Sequence, residues 1–165
     1  MRPRADGPRL LLPDHHREIE AACDALRTSV YADDPAELTT RFRSLEQAVL
    51  EHMLAEEEAI LPVYAKYARA DASAIRAAHE ELRRQLFQLG IAVELHCVRG
   101  EALELLVETL RSHAAHEDRE MYPWAQVHLP PRTMLELFAR IAKSFRLLAL
   151  DPQRPAAPKP QAMQE

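Results

Sequence analysis

The sequence is poor in several features, and each shortage narrows the class of protein. It has two cysteines in 165 residues, so the chain carries no disulfide framework. It also has only three glycines. Long stretches free of glycine and proline but rich in alanine, leucine, glutamate and arginine are typical of helices. No apolar run approaches the roughly 20 residues needed to span a bilayer. Both cysteines, Cys23 and Cys97, are expected to be buried thiols.

The net charge and the first residues of the chain argue against a nucleic-acid partner and against secretion. A net charge of −5 argues against nucleic acid as the main partner, because phosphate binding needs a basic face. The apolar run Leu10–Leu12 is too short for a signal peptide. The sequence therefore predicts a cytoplasmic protein with neither a nucleic-acid partner nor a membrane partner.

The chain is long enough for one domain with a substantial core, and 47% of its residues are apolar. Residues 1–9 are interpreted as an irregular arm, residues 10–149 as the folded domain, and residues 150–165 as a disordered tail rich in Pro, Ala and Gln. Apolar residues at helical spacing predict four long helices and one shorter helix, over residues 13–31, 35–70, 71–98, 101–127 and 133–148.

Helix boundaries follow from capping residues and prolines. Asp34 is predicted to cap the second helix with Pro35 at its first position, and Asp71 to cap the third. Gly100 should end the third helix, and Pro62 should kink or break the second. Short turns between long helices predict an all-α fold, an up-down-up-down four-helix bundle with a short additional C-terminal helix.

Histidine and glutamate recur in a pattern that points to metal binding. His52 precedes Glu56 by four residues, as His113 precedes Glu117, and residues so spaced lie on one helix face. A proline follows six residues after each glutamate. The two halves are offset by 61 residues, which indicates an internal duplication. With one histidine each from the first and third helices, His16 and His79, the bundle would hold four imidazoles and two carboxylates.

Such a donor set suits two divalent first-row ions, because imidazole favours Fe, Zn, Cu or Ni and a carboxylate can bridge two ions. No thiolate accompanies the set, so a cysteine-type zinc site is unexpected. The sequence has no His-Glu-x-x-His helix of a zinc protease and no Glu-x-x-His motif of a ferritin-like centre. Ligand type alone leaves iron, manganese and zinc open.

The sequence resembles the hemerythrin family in its HHE cation-binding form, over roughly residues 10 to 148. The motifs that carry the resemblance are Asp14-His15-His16-Arg17-Glu18-Ile19, His52-Met-Leu-Ala-Glu56-Glu57-Glu58-Ala-Ile-Leu-Pro62, His79-Glu-Glu-Leu82 and His113-Ala-Ala-His116-Glu117-Asp118-Arg119-Glu120-Met-Tyr-Pro123. The resemblance implies a non-haem di-iron centre, oxo or hydroxo bridged, inside a four-helix bundle. It assigns the metal ligands as His16, His52, Glu56, His79, His113 and Glu117.

The sequence departs from the oxygen-carrying members at one ligand. Those members carry a second histidine four residues after the third-helix ligand, where this chain has Arg83. Asp118 stands at their aspartate position, but Glu117 fits the HHE spacing better. The pattern is closer to bacterial HHE proteins linked to iron-centre repair or to nitric oxide and peroxide responses.

Several residues keep two interpretations on sequence alone. His16 is favoured over His15 as the first-helix ligand, because His16 and His79 stand at the same distance from a following aliphatic residue. His116 could face the ligand cavity but better suits a supporting role. Glu57 and Glu58 are expected to be solvated, and His96 and His128 to be exposed. Three aromatic residues are expected to serve in packing: Tyr64, Tyr122 and Trp124. Of these, Tyr122 could also bond a bound oxygen species.

Three functions are compatible with these residues. The first is a di-iron protein that reacts with or senses a small oxidant such as O2, H2O2 or NO, with a possible oxidoreductase or peroxide-consuming activity. The second is iron handling, iron sensing or iron-centre repair without turnover, in which the metal stabilises the bundle. The third is a metal-free helical interaction module with the histidines as core residues. The repeat of His and Glu makes the third the weakest. The oligomeric state is left open.

Overall fold

A computed structural model describes residues 11–32 and 34–149, and within these ranges the regular structure is entirely helical, which confirms the all-α class. The predicted arm at residues 1–9 and tail at residues 150–165 lie outside the described residues. The helices are α1 (Leu11–Tyr31), α2 (Pro35–Ala59), α3 (Leu61–Tyr67), α4 (Arg69–Glu94), α5 (Gly100–Arg119), α6 (Met121–His128) and α7 (Pro131–Ala149). None of the helices in the described ranges combines the length and apolar character that crossing a bilayer requires.

Two of the predicted long helices are each divided in two near a proline. The second breaks at Ile60, and α3 then begins at Leu61 with Pro62 in its first turn. The fourth breaks at Glu120, just before α6 and Pro123. Proline lacks the N–H of a helix interior and its ring crowds the carbonyl four residues back, whereas the first turn of a new helix tolerates it. The break predicted at Pro62 is therefore present.

The boundaries around α4 differ from the prediction. The helix begins at Arg69, so Asp71 lies in its first turn and is not the cap. Its carboxylate instead accepts a hydrogen bond of 2.6 Å from the Tyr64 hydroxyl. At the other end, His96 adopts a left-handed φ of 52° after the last turn, and Gly100 is the first residue of α5 rather than the end of α4.

The early end of α4 also corrects the prediction for one cysteine. Cys23 is buried in α1, as expected, whereas Cys97 is exposed. Cys97 falls in the connection between α4, which ends at Glu94, and α5, which begins at Gly100. The prediction of two buried thiols assumed a helix that continued to residue 98.

The helices enclose a polar layer between two apolar clusters. α1 contacts α2 and α5, α4 contacts the same two helices, and α7 lies against α1 and α2. Along α1 and α4, residues of the two clusters stand on either side of a buried histidine, with Leu12 and Ile19 around His15 and Ile75 and Leu82 around His79. Leu110 of α5 and Met121 of α6 flank His113 and Glu117 in the same way. In α2, the clusters meet at Met53 and Ala55, between His52 and Glu56.

Candidate metal centre

The polar layer contains all six residues predicted as ligands. α1 supplies His16, α4 supplies His79, and α2 and α5 each supply one His and one Glu. Glu56, His79 and Glu117 are 0% exposed. Ionisable groups are rarely buried this deeply unless they are paired or bind a metal. The structure thus places the six residues at one point of the interior.

These residues form two overlapping groups, each able to hold a metal ion. One group is His16, His52, Glu56 and Glu117, and the other is Glu56, His79, His113 and Glu117. Within each group, the ligand atoms lie within 4.8 Å of one another. Both groups contain both carboxylates, so the glutamates stand between the two pairs of histidines.

The contacts inside the layer follow the helical spacing. His52 Nε2 lies 3.2 Å from Glu56 Oε1, and His113 Nε2 lies 3.1 Å from Glu117 Oε1. Across the helices, His79 Nε2 lies 3.5 Å from Glu56 and 3.4 Å from Glu117. His16 Nε2 is 3.4 Å from the second oxygen of Glu117. The Nε2 atoms of the four histidines therefore converge on the two carboxylates.

Two acidic side chains hold histidines from behind. His79 Nδ1 lies 2.8 Å from Glu57, which also accepts a bond of 2.8 Å from Arg83. His16 Nδ1 lies 3.1 Å from Asp118. A bond at Nδ1 fixes the ring orientation and leaves Nε2 to face a metal. The prediction of a solvated Glu57 is wrong, because its side chain is 19% exposed and holds His79.

Sequence reasoning missed this supporting role, although the repeat contained a signal for it. Glu57 and Asp118 each follow a buried glutamate, and they are 61 residues apart, the spacing that relates the two halves. Arg83, at the position of the carriers' additional histidine, contacts Glu57. By contrast, the Glu58 side chain is 56% exposed and pairs with Arg140, as a solvated residue does.

His15 and His16 are both buried, but they have different places. His16 belongs to the layer, while His15 lies behind His52, with 2.7 Å between their Nδ1 atoms. Burial, together with the neighbouring His52 and His16, lowers the pKa of His15 to about 2. A hydrogen bond between these two Nδ1 atoms fixes the orientation of the His52 ring, whose Nε2 faces the layer. His15 thus orients a neighbour rather than joining the layer.

The electrostatics of the layer show how closely its charges depend on one another. Burial alone would lower the pKa of His16, but hydrogen bonds to Asp118 and Glu117 raise it to about 10. The pKa of His79 is raised to about 10 against the same effect of burial, by bonds to Glu117 and Glu56. Burial opposes ionisation of both glutamates, yet the surrounding imidazoles hold the pKa of Glu117 well below its ordinary value. Protons on the imidazoles thus balance two buried carboxylates.

The donor set fits metal cations. Among the described residues, Glu56 Oε2, Glu117 Oε2 and His113 Nε2 are buried and have only poorly aligned polar contacts, at 3.1 to 3.5 Å. Such atoms are costly to bury unless something satisfies them. Imidazole nitrogen and carboxylate oxygen are ligands for iron, manganese and zinc, and metal binding displaces the protons that the imidazoles carry.

A cavity of about 320 Å³ leads to this layer. His16, His52 and His113 contribute to its lining, together with apolar side chains such as Val49 and Leu110. A water molecule occupies about 30 Å³ of liquid, so the space exceeds the size of a diatomic molecule or a peroxide. Most of the wall is apolar, and charged residues such as Arg17 and Asp118 contribute the rest.

The other histidines and aromatic residues lie at separate places. His116 Nε2 contacts Asp71 at 2.7 Å, which gives it a partner outside the layer. His96 and His128 are exposed, as predicted. Tyr64 and Trp124 pack against each other, with ring centroids 5.0 Å apart. Tyr122 is different, because its hydroxyl reaches into the layer.

Histidine and carboxylate donors buried between the helices of an all-α domain define a helical cation-binding protein. The profile of the hemerythrin HHE cation binding domain matches residues 9–125, which is more than half of the chain. The chain therefore belongs to the hemerythrin HHE family, and the resemblance seen in its motifs is confirmed. Searches of curated proteins and of solved structures each gave no significant match.

Proposed function

We propose that this protein is a non-haem di-iron protein that reacts with or senses a small oxidant: dioxygen, peroxide or nitric oxide. The observation that carries the proposal is the pair of four-residue groups that share Glu56 and Glu117. Two carboxylates common to both groups suit two cations held side by side. The proposed ligands are His16, His52, Glu56, His79, His113 and Glu117.

The proposed architecture is an up-down-up-down bundle of α1, α2 with α3, α4, and α5 with α6. Helices that follow one another along this path are in contact, and the connections between them are short. Short connections join antiparallel neighbours. α7 would be an addition to the four-helix core.

Bound iron would supply redox chemistry and coordination positions for the oxidant. The contribution of the chain itself is to hold the ligands and control access. Glu57, Asp118 and His15 fix the rings of three histidines through Nδ1. The cavity, whose lining is largely apolar, would give a small molecule a path to the metal ligands.

Metal analysis and absorption spectroscopy of protein from iron-replete cells test the proposal. We expect close to two irons per chain and a near-ultraviolet iron(III) absorption that peroxide or nitric oxide alters. His52→Gln should lower the iron content, while the matched variant His128→Gln, at an exposed position of α6, should not. Protein that stays metal-free after anaerobic iron loading would contradict the proposal.

The same preparation distinguishes iron handling from oxidant chemistry. If chelation lowers the melting temperature but the iron-loaded protein neither consumes peroxide nor changes its spectrum with nitric oxide, the metal stabilises the fold without reacting. That result would replace the proposed function with iron handling or sensing. If His52→Gln and His113→Gln leave stability unchanged, the layer is a metal-free core.

A further inference from the structure

The hydroxyl of Tyr122 occupies a position among proposed ligand atoms. Tyr122 lies in the first turn of α6 and is 1% exposed. Its oxygen is 3.1 Å from His52 Nε2 and 3.2 Å from His16 Nε2. The hydroxyl also donates a hydrogen bond to Glu56 Oε1. The hydroxyl thus contacts three of the four residues that hold one cation in the proposed function.

These separations are those of atoms that share a metal ion. Ligands bound at about 2.1 Å lie roughly 3.0 Å apart at adjacent octahedral positions and roughly 3.4 Å apart in a tetrahedron. The distances from the hydroxyl to His16 and His52 fall in this range, as does the 3.1 Å between the two Nε2 atoms. The hydroxyl therefore stands where a further ligand atom would stand.

We propose that Tyr122 supplies its phenolate oxygen as a further ligand to the cation held by His16, His52, Glu56 and Glu117. This inference rests on the proposed function. The phenol proton leaves to solvent when the cation binds, as the protons of other metal ligands do. The phenolate adds one negative charge to two carboxylates and compensates a trivalent ion better than neutral imidazoles do.

The repeat makes the two cation positions unequal. Tyr122 precedes Pro123 as Leu61 precedes Pro62, and the two residues are 61 positions apart. Leu61 is 0% exposed and has no atom that binds a metal. The cation at His79 and His113 therefore has one oxygen ligand fewer and keeps a position for the small molecule. Two inequivalent irons are the consequence.

Visible absorption and resonance Raman spectra of the iron(III)-loaded protein test this assignment. We expect a phenolate-to-iron(III) band in the visible range and, on excitation within it, enhanced tyrosine ring vibrations. Tyr122→Phe should remove both signals and retain iron. The matched variant Tyr64→Phe, at a buried tyrosine whose hydroxyl bonds Asp71 instead, should leave both unchanged.

The Raman measurement on the unaltered protein decides the matter even if Tyr122→Phe fails to fold. Iron-loaded protein without tyrosine vibrations would overturn the inference and leave the proposed di-iron function intact. Tyrosine vibrations that persist in Tyr122→Phe would also overturn it. Protein that binds no iron would overturn both proposals, so the two failures are distinguishable.

Discussion

Removal of the acidic groups behind His79 and His16 should weaken metal binding without touching a ligand. Glu57→Ala deletes the acceptor at His79 Nδ1, and Asp118→Ala deletes the one at His16 Nδ1. Each ring then loses the bond that fixes its orientation and raises the basicity of Nε2. Loss of such supporting groups costs about 10- to 100-fold in metal affinity, or about 1.4 to 2.7 kcal/mol.

The structure indicates which of the two substitutions should lower the metal affinity more. The Glu57 bond is 2.8 Å long to a fully buried ring, and Glu57 is 19% exposed. The Asp118 bond is 3.1 Å long, and its carboxylate is 36% exposed, so solvent screens it more. We therefore expect Glu57→Ala to lie near the upper end of this range and Asp118→Ala near the lower end.

Competition with a chelator of known affinity measures the change, with iron(II) under anaerobic conditions. Glu58→Ala is the matched control, because Glu58 is the next residue along α2 but pairs with Arg140 on the surface. Equal affinity in Glu57→Ala and Glu58→Ala would refute the reasoning. It would mean that packing alone holds His79 in place.

Three further results are expected. The raised pKa values of His16 and His79 stabilise the cation-free fold fully below pH 6.5, and this contribution is lost as pH rises toward 10. The melting temperature of chelated protein should thus fall over that range, unlike that of loaded protein; a flat profile would contradict this. Burial raises the pKa of the Cys23 thiol to about 12, so Cys97 should be alkylated first in native protein, as mass spectrometry would show. Leu45→Ala, at a 0% exposed position, should cost about 2–5 kcal/mol in urea unfolding, and a cost below about 1 kcal/mol would contradict its core position.

The sequence predicted the parts of the layer that one helix supplies. His52 with Glu56 and His113 with Glu117 stand four residues apart, and the 61-residue repeat singled them out among eight histidines. Helical geometry alone places such pairs on one face. The break at Pro62 was predicted from the missing N–H of proline, whereas no break was predicted at Pro123, although the two prolines occupy equivalent positions of the repeat.

The partners that side chains meet on other helices could not be predicted from spacing within one helix. Glu57 and His79 are 22 residues apart, and Asp118 and His16 are 102 apart, so no periodicity within one helix links them. The same holds for which of His15 and His16 lies in the layer. Both are buried on α1, and only their contacts with α2 distinguish their roles.

Local capping rules failed where a tertiary contact competed for the same group. Asp71 fits the sequence pattern of a cap, but its carboxylate is engaged by Tyr64 and His116, and the helix begins two residues earlier. Tyr122 likewise was interpreted from the sequence as a packing residue, and only the fold brings its hydroxyl to Glu56.

The central claim is that two irons share the carboxylates of Glu56 and Glu117. Its most direct test is the iron content per chain, measured together with the Mössbauer spectrum of protein loaded with ⁵⁷Fe. We predict about two irons, magnetically coupled and in two inequivalent environments. A single uncoupled iron, or none, would contradict the claim.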